Sequence, residues 1–321
     1  MNAARASLCI AALLACAAMP VRADYPEKPL RLVVPFPPGG STEPLARILS
    51  QKLGEAFGQQ LIVDNRPGAG STIGAEIVAK SPPDGYTLFL GSISNAISAA
   101  LYPKLNFDIV RDFAPVTLLA TTPGVLVVHP ALPVKTVKEL IALAKARPDQ
   151  LAYSSAGNGT PPHLSAELLS GMTGIKLIHV PYKGGGPSII ALLSGEAQLS
   201  IASLPSAIGH MRSGKLRALG VTTLQRTPSV PELPTIAESG VPGYAAETWL
   251  GLAVAARTPK EIVGKLHAAT VKAMTLPDVK ERLDALGYIA RVGSPEEYAN
   301  FVQSEVDKWR RVVKAANVRV D

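Results

Sequence analysis

The sequence predicts an α/β protein built on parallel-rich sheets with helices on both faces. Three observations carry this. Short apolar runs suited to buried strands alternate with helix-period segments along most of the chain. Glycine, proline and hydroxyl-bearing loops separate them and sit just before the helix starts. A turn-rich Thr121-Thr122-Pro123-Gly124 break divides the apolar runs 116–119 and 125–128, as a crossover between two α/β units would.

The first strand–turn–helix sets the pattern. Leu30, Leu32, Val33 and Val34 make a run suited to a buried strand. Pro35, Pro37 and Pro38 cannot donate to a sheet and stop it. Gly39 and Gly40 let the backbone approach something closely. Ser41 or Thr42 can cap a helix whose first turn holds Pro44. Leu45, Ile48, Leu49 and Leu53 then recur at helical spacing. The free N–H groups at such a helix start suit a carboxylate or phosphate; an ordinary βα turn with no ligand explains the stretch equally well.

Strands follow at 61–64 and 86–90, the second leading into the polar loop 91–95. In parallel α/β sheets, ligands bind off the carboxyl ends of the strands, where both this loop and residues 36–42 sit. Thr136 and Glu139 have capping-box spacing ahead of Leu140, Ile141 and Leu143. A second series of strands falls at 151–154, 177–180, 199–202 and 216–221. Its loops repeat the chemistry of the first: 154–160 is rich in glycine and hydroxyls, 182–187 adds Lys183, and 203–206 holds two serines. Each alone is satisfied as a turn. Four helix starts preceded by small-residue loops, spread over both halves, point to a shared site. The tail is helical over 259–274, 279–286 and 295–313, and Tyr298, Phe301, Val302, Val306 and Trp309 form an apolar stripe for core packing.

Several function classes lack their motifs. Gly68, Gly70 and Gly74 are spaced G-x-G-x-x-x-G and do not directly follow a strand, which argues against a dinucleotide fold. No nucleoside-triphosphate loop and no G-x-S-x-G elbow is present. The five histidines, at 129, 163, 179, 210 and 267, have no zinc-site spacing. His163 is the one to watch beside the Gly157/Gly159 loop, with backbone satisfaction as its plainer role. No cofactor, metal or catalytic set is expected. Aromatic residues are 5% of the chain and basic residues form no run of five, so nucleic acid is not an expected partner.

Residues 1–23 read as a secretory signal: Arg5, an apolar run over 8–19, then Val21-Arg22-Ala23 as a small-residue cleavage site. A second reading takes 13–16 as a lipoprotein box acylated at Cys16, which Leu14 fits poorly. Both cysteines, Cys9 and Cys16, lie in this segment, so cleavage leaves a chain without disulfides or thiolate sites. Losing Arg5 and Arg22 lowers the net charge from +7 to +5. A mildly basic exported protein suits anionic small ligands or a membrane surface.

The motifs also carry a family resemblance. Val34-Pro35-Phe36-Pro37-Pro38-Gly39-Gly40 with Ala46-Arg47 resembles the first signature of the substrate-binding proteins of tripartite tricarboxylate transporters, the Bug family. Glu43 stands where that signature has Asp. Further matches are Asn65 to Gly70, Pro83 to Thr87, Tyr153 to Leu164, His179 to Gly184, 214–219, 230–235, 247–251 and Lys308-Trp309, so the resemblance spans the chain after the leader. It implies a two-lobed periplasmic binding protein fold (type II-like) that closes on its ligand like a flytrap. Lobe one is expected at 24–124 plus 245–321, and lobe two at 125–244. The expected ligand-binding residues are Phe36, Pro37, Gly39, Gly40, Ser41, Ser92, Ser94 and Asn95 from lobe one. From lobe two they are Ala156, Gly157, Asn158, Gly159, Tyr182, Lys183, Ser203 and Ser206. The implied function is capture of a small carboxylate (a di- or tricarboxylate, an amino acid or an aromatic acid) by a periplasmic monomer that then docks on the transporter's membrane subunits. A secreted hydrolase-like enzyme and a ligand-binding partner of a membrane sensor are the alternatives. At position 43, the extra methylene of Glu43 is expected to push its carboxylate toward the cleft.

Overall fold

The computed structural model describes residues 25–102 and 104–316; the expected leader, its cleavage site and Cys16 lie outside them. The first sheet has the order β2 (Leu61–Asn65), β1 (Leu30–Val34), β3 (Thr87–Ser92), β9 (Glu247–Ala255), β4 (Phe113–Val128). β1 is parallel to β2 and β3, and β9 is antiparallel to β3 and β4. A two-residue strand β10 (Ile289–Ala290) pairs with β4 at its far edge. The second sheet has β4 again, between β7 (Leu199–Ser203) and β8 (Arg217–Val221). Beyond β7 lie β5 (Ala152–Ser155) and β6 (Ile178–Pro181), both parallel within this group.

The ten helices are α1 (Glu43–Phe57), α2 (Thr72–Ala79), α3 (Ile93–Leu101), α4 (Val137–Ala146), α5 (Pro161–Thr173), α6 (Gly185–Leu193), α7 (Leu204–Arg212), α8 (Lys260–Thr275), α9 (Pro277–Ala285) and α10 (Pro295–Ala316) among the described residues. They cover both faces of each sheet, as alternation along the strands requires. Leu250, Leu252 and Val254 of β9 pack in the cluster with α1 and α8; Trp249 and Ala253 pack in the one with α3 and α10. The second sheet is covered the same way, by α4 and α5 around Tyr153 and by α6 and α7 around Leu192.

The apolar runs expected to be split at 121–124 are one strand, β4, and the expected crossover is a change of partner. Pro123 is the last residue in register with β9 and Gly124 the first with β7. Thr222 pins this point, taking a bond from Gly124 N at 2.7 Å and giving one to Ala246 O, just before β9. Thr122 and Thr248, register partners on β4 and β9, join hydroxyls beside it. This is the two-lobed binding protein fold. Thr136 is the N-cap of α4, accepting from Glu139 N at 3.1 Å, while Glu139 reaches back to Lys135 N at 2.6 Å.

Gly251 explains how the tail helix docks. It faces Gly91 across β3 and β9, and a Cβ there would overlap the Tyr298 ring of α10. Gly251→Ala should therefore cost about 1–3 kcal/mol by overpacking, read as a lowered denaturant midpoint. An unchanged midpoint would show that α10 is not seated on these glycines.

Candidate functional site

The loops after β1, β3, β5, β6 and β7 all open onto one cleft between the sheets. It holds about 840 Å³ of empty space, part of it open solvent. Five helices start at its wall: Thr42 precedes α1, Ser92 precedes α3, Thr160 precedes α5, Gly185 opens α6 and Ser203 precedes α7. None of the described residues lining it carries a formal charge. The cleft therefore offers an anion the positive ends of helix dipoles and hydroxyl donors, with no buried countercharge.

One hydroxyl in the wall is an orphan: Thr42 Oγ1 is buried with no hydrogen-bond partner, although Thr42 sits at an N-cap position. Ser92 is the N-cap of α3, in a capping box with Asn95. Sequence reasoning expected Ser41 or Thr42 to cap α1; the Thr42 side chain makes no such bond. A buried hydroxyl without a partner is costly, and a ligand oxygen would supply one.

The loops that bring these groups together are braced from behind. Asn65 donates to Phe36 O at 2.8 Å, and the Tyr288 hydroxyl donates to Ser41 O. Gly159 N donates to His163 Nδ1 at 3.0 Å, the backbone role that the sequence offered as the plainer one. His163 stacks on His179 with ring centroids 4.1 Å apart, and His179 stacks on Tyr153 at 4.8 Å. Ser155 Oγ meets His179 Nε2 at 2.6 Å, and the Tyr153 hydroxyl donates to Glu167 at 2.7 Å. Burial holds the His163 pKa below its ordinary value and, with the neighbouring His163 ring, lowers His179 to about 4. Both rings are thus neutral at pH 7.

Of the sixteen residues picked from sequence, eight line the cleft: Phe36, Gly40, Ser41, Ser92, Ser94, Ala156, Ser203 and Ser206. The others lie around it. Pro37 and Gly39 contact Gly184 and Gly186 across the mouth. Asn95 is buried and structural, accepting from Ser92 N and donating to Ser71 Oγ, both at 2.9 Å. Gly157 (φ +126°) faces Tyr182 O, Gly159 packs on Leu101, and Asn158 and Lys183 are exposed. The half-buried Tyr182 is also outside the wall. Glu43 does not line the cleft either: its Oε1 is held 2.6 Å from Arg47, one turn on. The wall also contains Ser165, Ser188, Ser200, Thr248, Trp249 and Leu250, none of which was singled out from sequence as a contact residue. They sit on regular strands or helices, where alternation reads as core; only Thr248, Trp249 and Leu250, inside the 247–251 signature motif, were signalled.

Residues 45–318 match the model of the tripartite tricarboxylate transporter family receptor. The chain belongs to this family. It is 37% identical to protein BugT of Bordetella pertussis over 94% of each chain. Among solved structures it is similar to Rpa4515 of R. palustris with adipate: 37% identity, TM-score 0.90, covering 92% of this chain and 99% of that one. It is also similar to MatC of Rhodopseudomonas palustris with bound malate: 34% identity, TM-score 0.85, covering 90% and 100%. The resemblance read from the motifs is thereby shown, and with it the solute-binding class of this receptor.

Proposed function

We propose that this protein captures a small carboxylate in the cleft, closes on it, and presents it to the membrane subunits of a tripartite transporter without altering it. The observation that carries this reading is the convergence of five helix starts from both lobes on an uncharged wall that holds the orphan hydroxyl of Thr42. Ionised acceptors take the strongest hydrogen bonds from such donors. Closure needs a ligand that touches both lobes, since only differential contact shifts an open–closed equilibrium. The acids bound by the two structural relatives, adipate and malate, favour a dicarboxylate for this chain. The lobe boundaries at 124/125 and 244/245 are part of this reading, supported by the partner change beside Gly124 on β4 and by the bonds of Thr222 to Gly124 and Ala246. The eight lining residues picked from sequence, with Thr42, Thr160 and Gly185, make up the contact set. The protein works as a periplasmic monomer after cleavage behind Ala23.

Native mass spectrometry of freshly purified protein should show a retained acid. Calorimetry with di- and tricarboxylates, an amino acid and an aromatic acid should then rank dicarboxylates first. Binding by no acid would overturn the reading; consumption of the added acid would make the protein an enzyme. Intact mass from the exporting cell should correspond to a chain starting at Asp24; an acylated species starting at Cys16 would move the protein to the membrane surface.

A further inference from the structure

A second cavity adjoins the cleft, with about 480 Å³ of empty space, part of it open solvent. Phe89, Ile109, Phe113 and Val302 give it an apolar lining. It shares two residues with the cleft, Ser92 and Trp249. Ser92 is buried as the N-cap of α3, and Trp249 is 3% exposed. The Trp249 indole is fixed from the far side: its Nε1 donates to Glu305 Oε2 on α10 at 3.0 Å, and its ring meets Tyr298 and Phe301 edge-on. Glu305 is itself held by Trp309 Nε1 at 3.2 Å and Lys308 at 3.1 Å. A bulky side chain tethered by a buried carboxylate therefore stands between the donor-rich cleft and an apolar space.

Given the carboxylate reading, we propose that Trp249 is a specificity-determining wall. Its tethered indole caps the apolar length of the acid, and the second cavity is the room that becomes usable when the indole is shortened or released. Glu305 acts through Trp249 as a positioning residue. The cognate ligand is then a short-chain acid, with its carboxylate on the helix starts and its carbon body ending against Trp249.

The test is calorimetry of wild type, Trp249→Ala and Glu305→Gln with straight-chain dicarboxylates from succinate to sebacate. Wild type should bind the shorter acids and lose affinity beyond a set length. In Trp249→Ala the preference should move to longer acids, each newly buried methylene adding about fourfold in affinity. Glu305→Gln, which weakens the tether and removes no bulk, should shift the preference in the same direction and by less. Circular dichroism reports folding; should Trp249→Ala not fold, Trp249→Leu takes its place. An unchanged length preference in folded variants overturns the wall. A wild type that binds none of these straight-chain acids overturns the wall; the carboxylate reading falls only if tricarboxylates, the amino acid and the aromatic acid fail to bind as well.

Discussion

Gly186→Val should weaken carboxylate binding by about 5- to 150-fold, the equivalent of an overpacking cost of about 1–3 kcal/mol, while leaving thermal stability nearly unchanged. Gly186 is the second residue of α6, on the loop that meets residues 37–40 of the other lobe. A Cβ built on it would lie 2.9 Å from Pro38 O and 3.3 Å from Gly39 C, both backbone atoms with no rotamer to yield. Space for a side chain exists only if the lobes separate. Within its own lobe the substitution replaces glycine in a helix and is mildly favourable. The two effects therefore have opposite signs, which separates a block on closure from misfolding. Calorimetry gives the affinity and small-angle scattering the closure; the ligand-induced contraction of wild type should be lost in the variant. Equal affinity, or an undiminished contraction, would show that loops 37–40 and 184–186 do not meet in the bound form.

The sequence made the strand–loop–helix order legible because each loop carries a chemical reason to be there. Pro35 ends β1, Gly39 and Gly40 turn the chain, and Ser92 and Ser203 stand at the starts of α3 and α7. What it did not reveal is the direction in which a side chain points. Asn95 has the polarity of a ligand contact yet is consumed by Ser71 and the Ser92 backbone. Lys183 has the charge yet is exposed. Ser188 and Ser200 line the cleft, but lie within a helix and a strand whose spacing reads as buried core. The break at Thr121-Thr122-Pro123-Gly124 was misleading as a chain break: it marks a change of partner along β4, because a strand can change partners without ending. β9 went unread as a strand from periodicity, since 247–251 entered the reading only as a signature motif.

Acidification should loosen the cleft before it unfolds the protein as a whole, and the stacked histidines set the window. His179 has a folded pKa of about 4, below its ordinary value of 6.5, and His163 is displaced in the same direction. Above pH 6.5 both rings are neutral whether folded or unfolded, and the pair imposes no pH dependence. As the pH falls from 6.5 toward 4, the unfolded chain takes up protons that the folded one refuses, so stability declines. With a half-exposed ring and solvent screening, that loss is about 1–2 kcal/mol. Glu167 works the other way on His163, raising its pKa, but burial outweighs it. The carboxylates whose folded pKa values are lowered, Asp64 and Asp112 among them, add their own loss only below about pH 4. The functional effect comes through geometry: a proton on His163 Nδ1 removes the acceptor for Gly159 N, and two charged rings 4.1 Å apart repel. The loop 156–160 should then lose its brace, and carboxylate affinity should fall across the same interval. The measurement is the denaturation midpoint and the calorimetric affinity at several pH values between 7.5 and 4.5, for wild type and His179→Leu. The variant should be less stable at pH 7, because Ser155 Oγ loses its bond to His179 and keeps only those to Gly157, and its midpoint should depend less on pH. If wild type and His179→Leu decline in parallel, the histidine stack is not the titrating element, and the brace behind the cleft is insensitive to its charge.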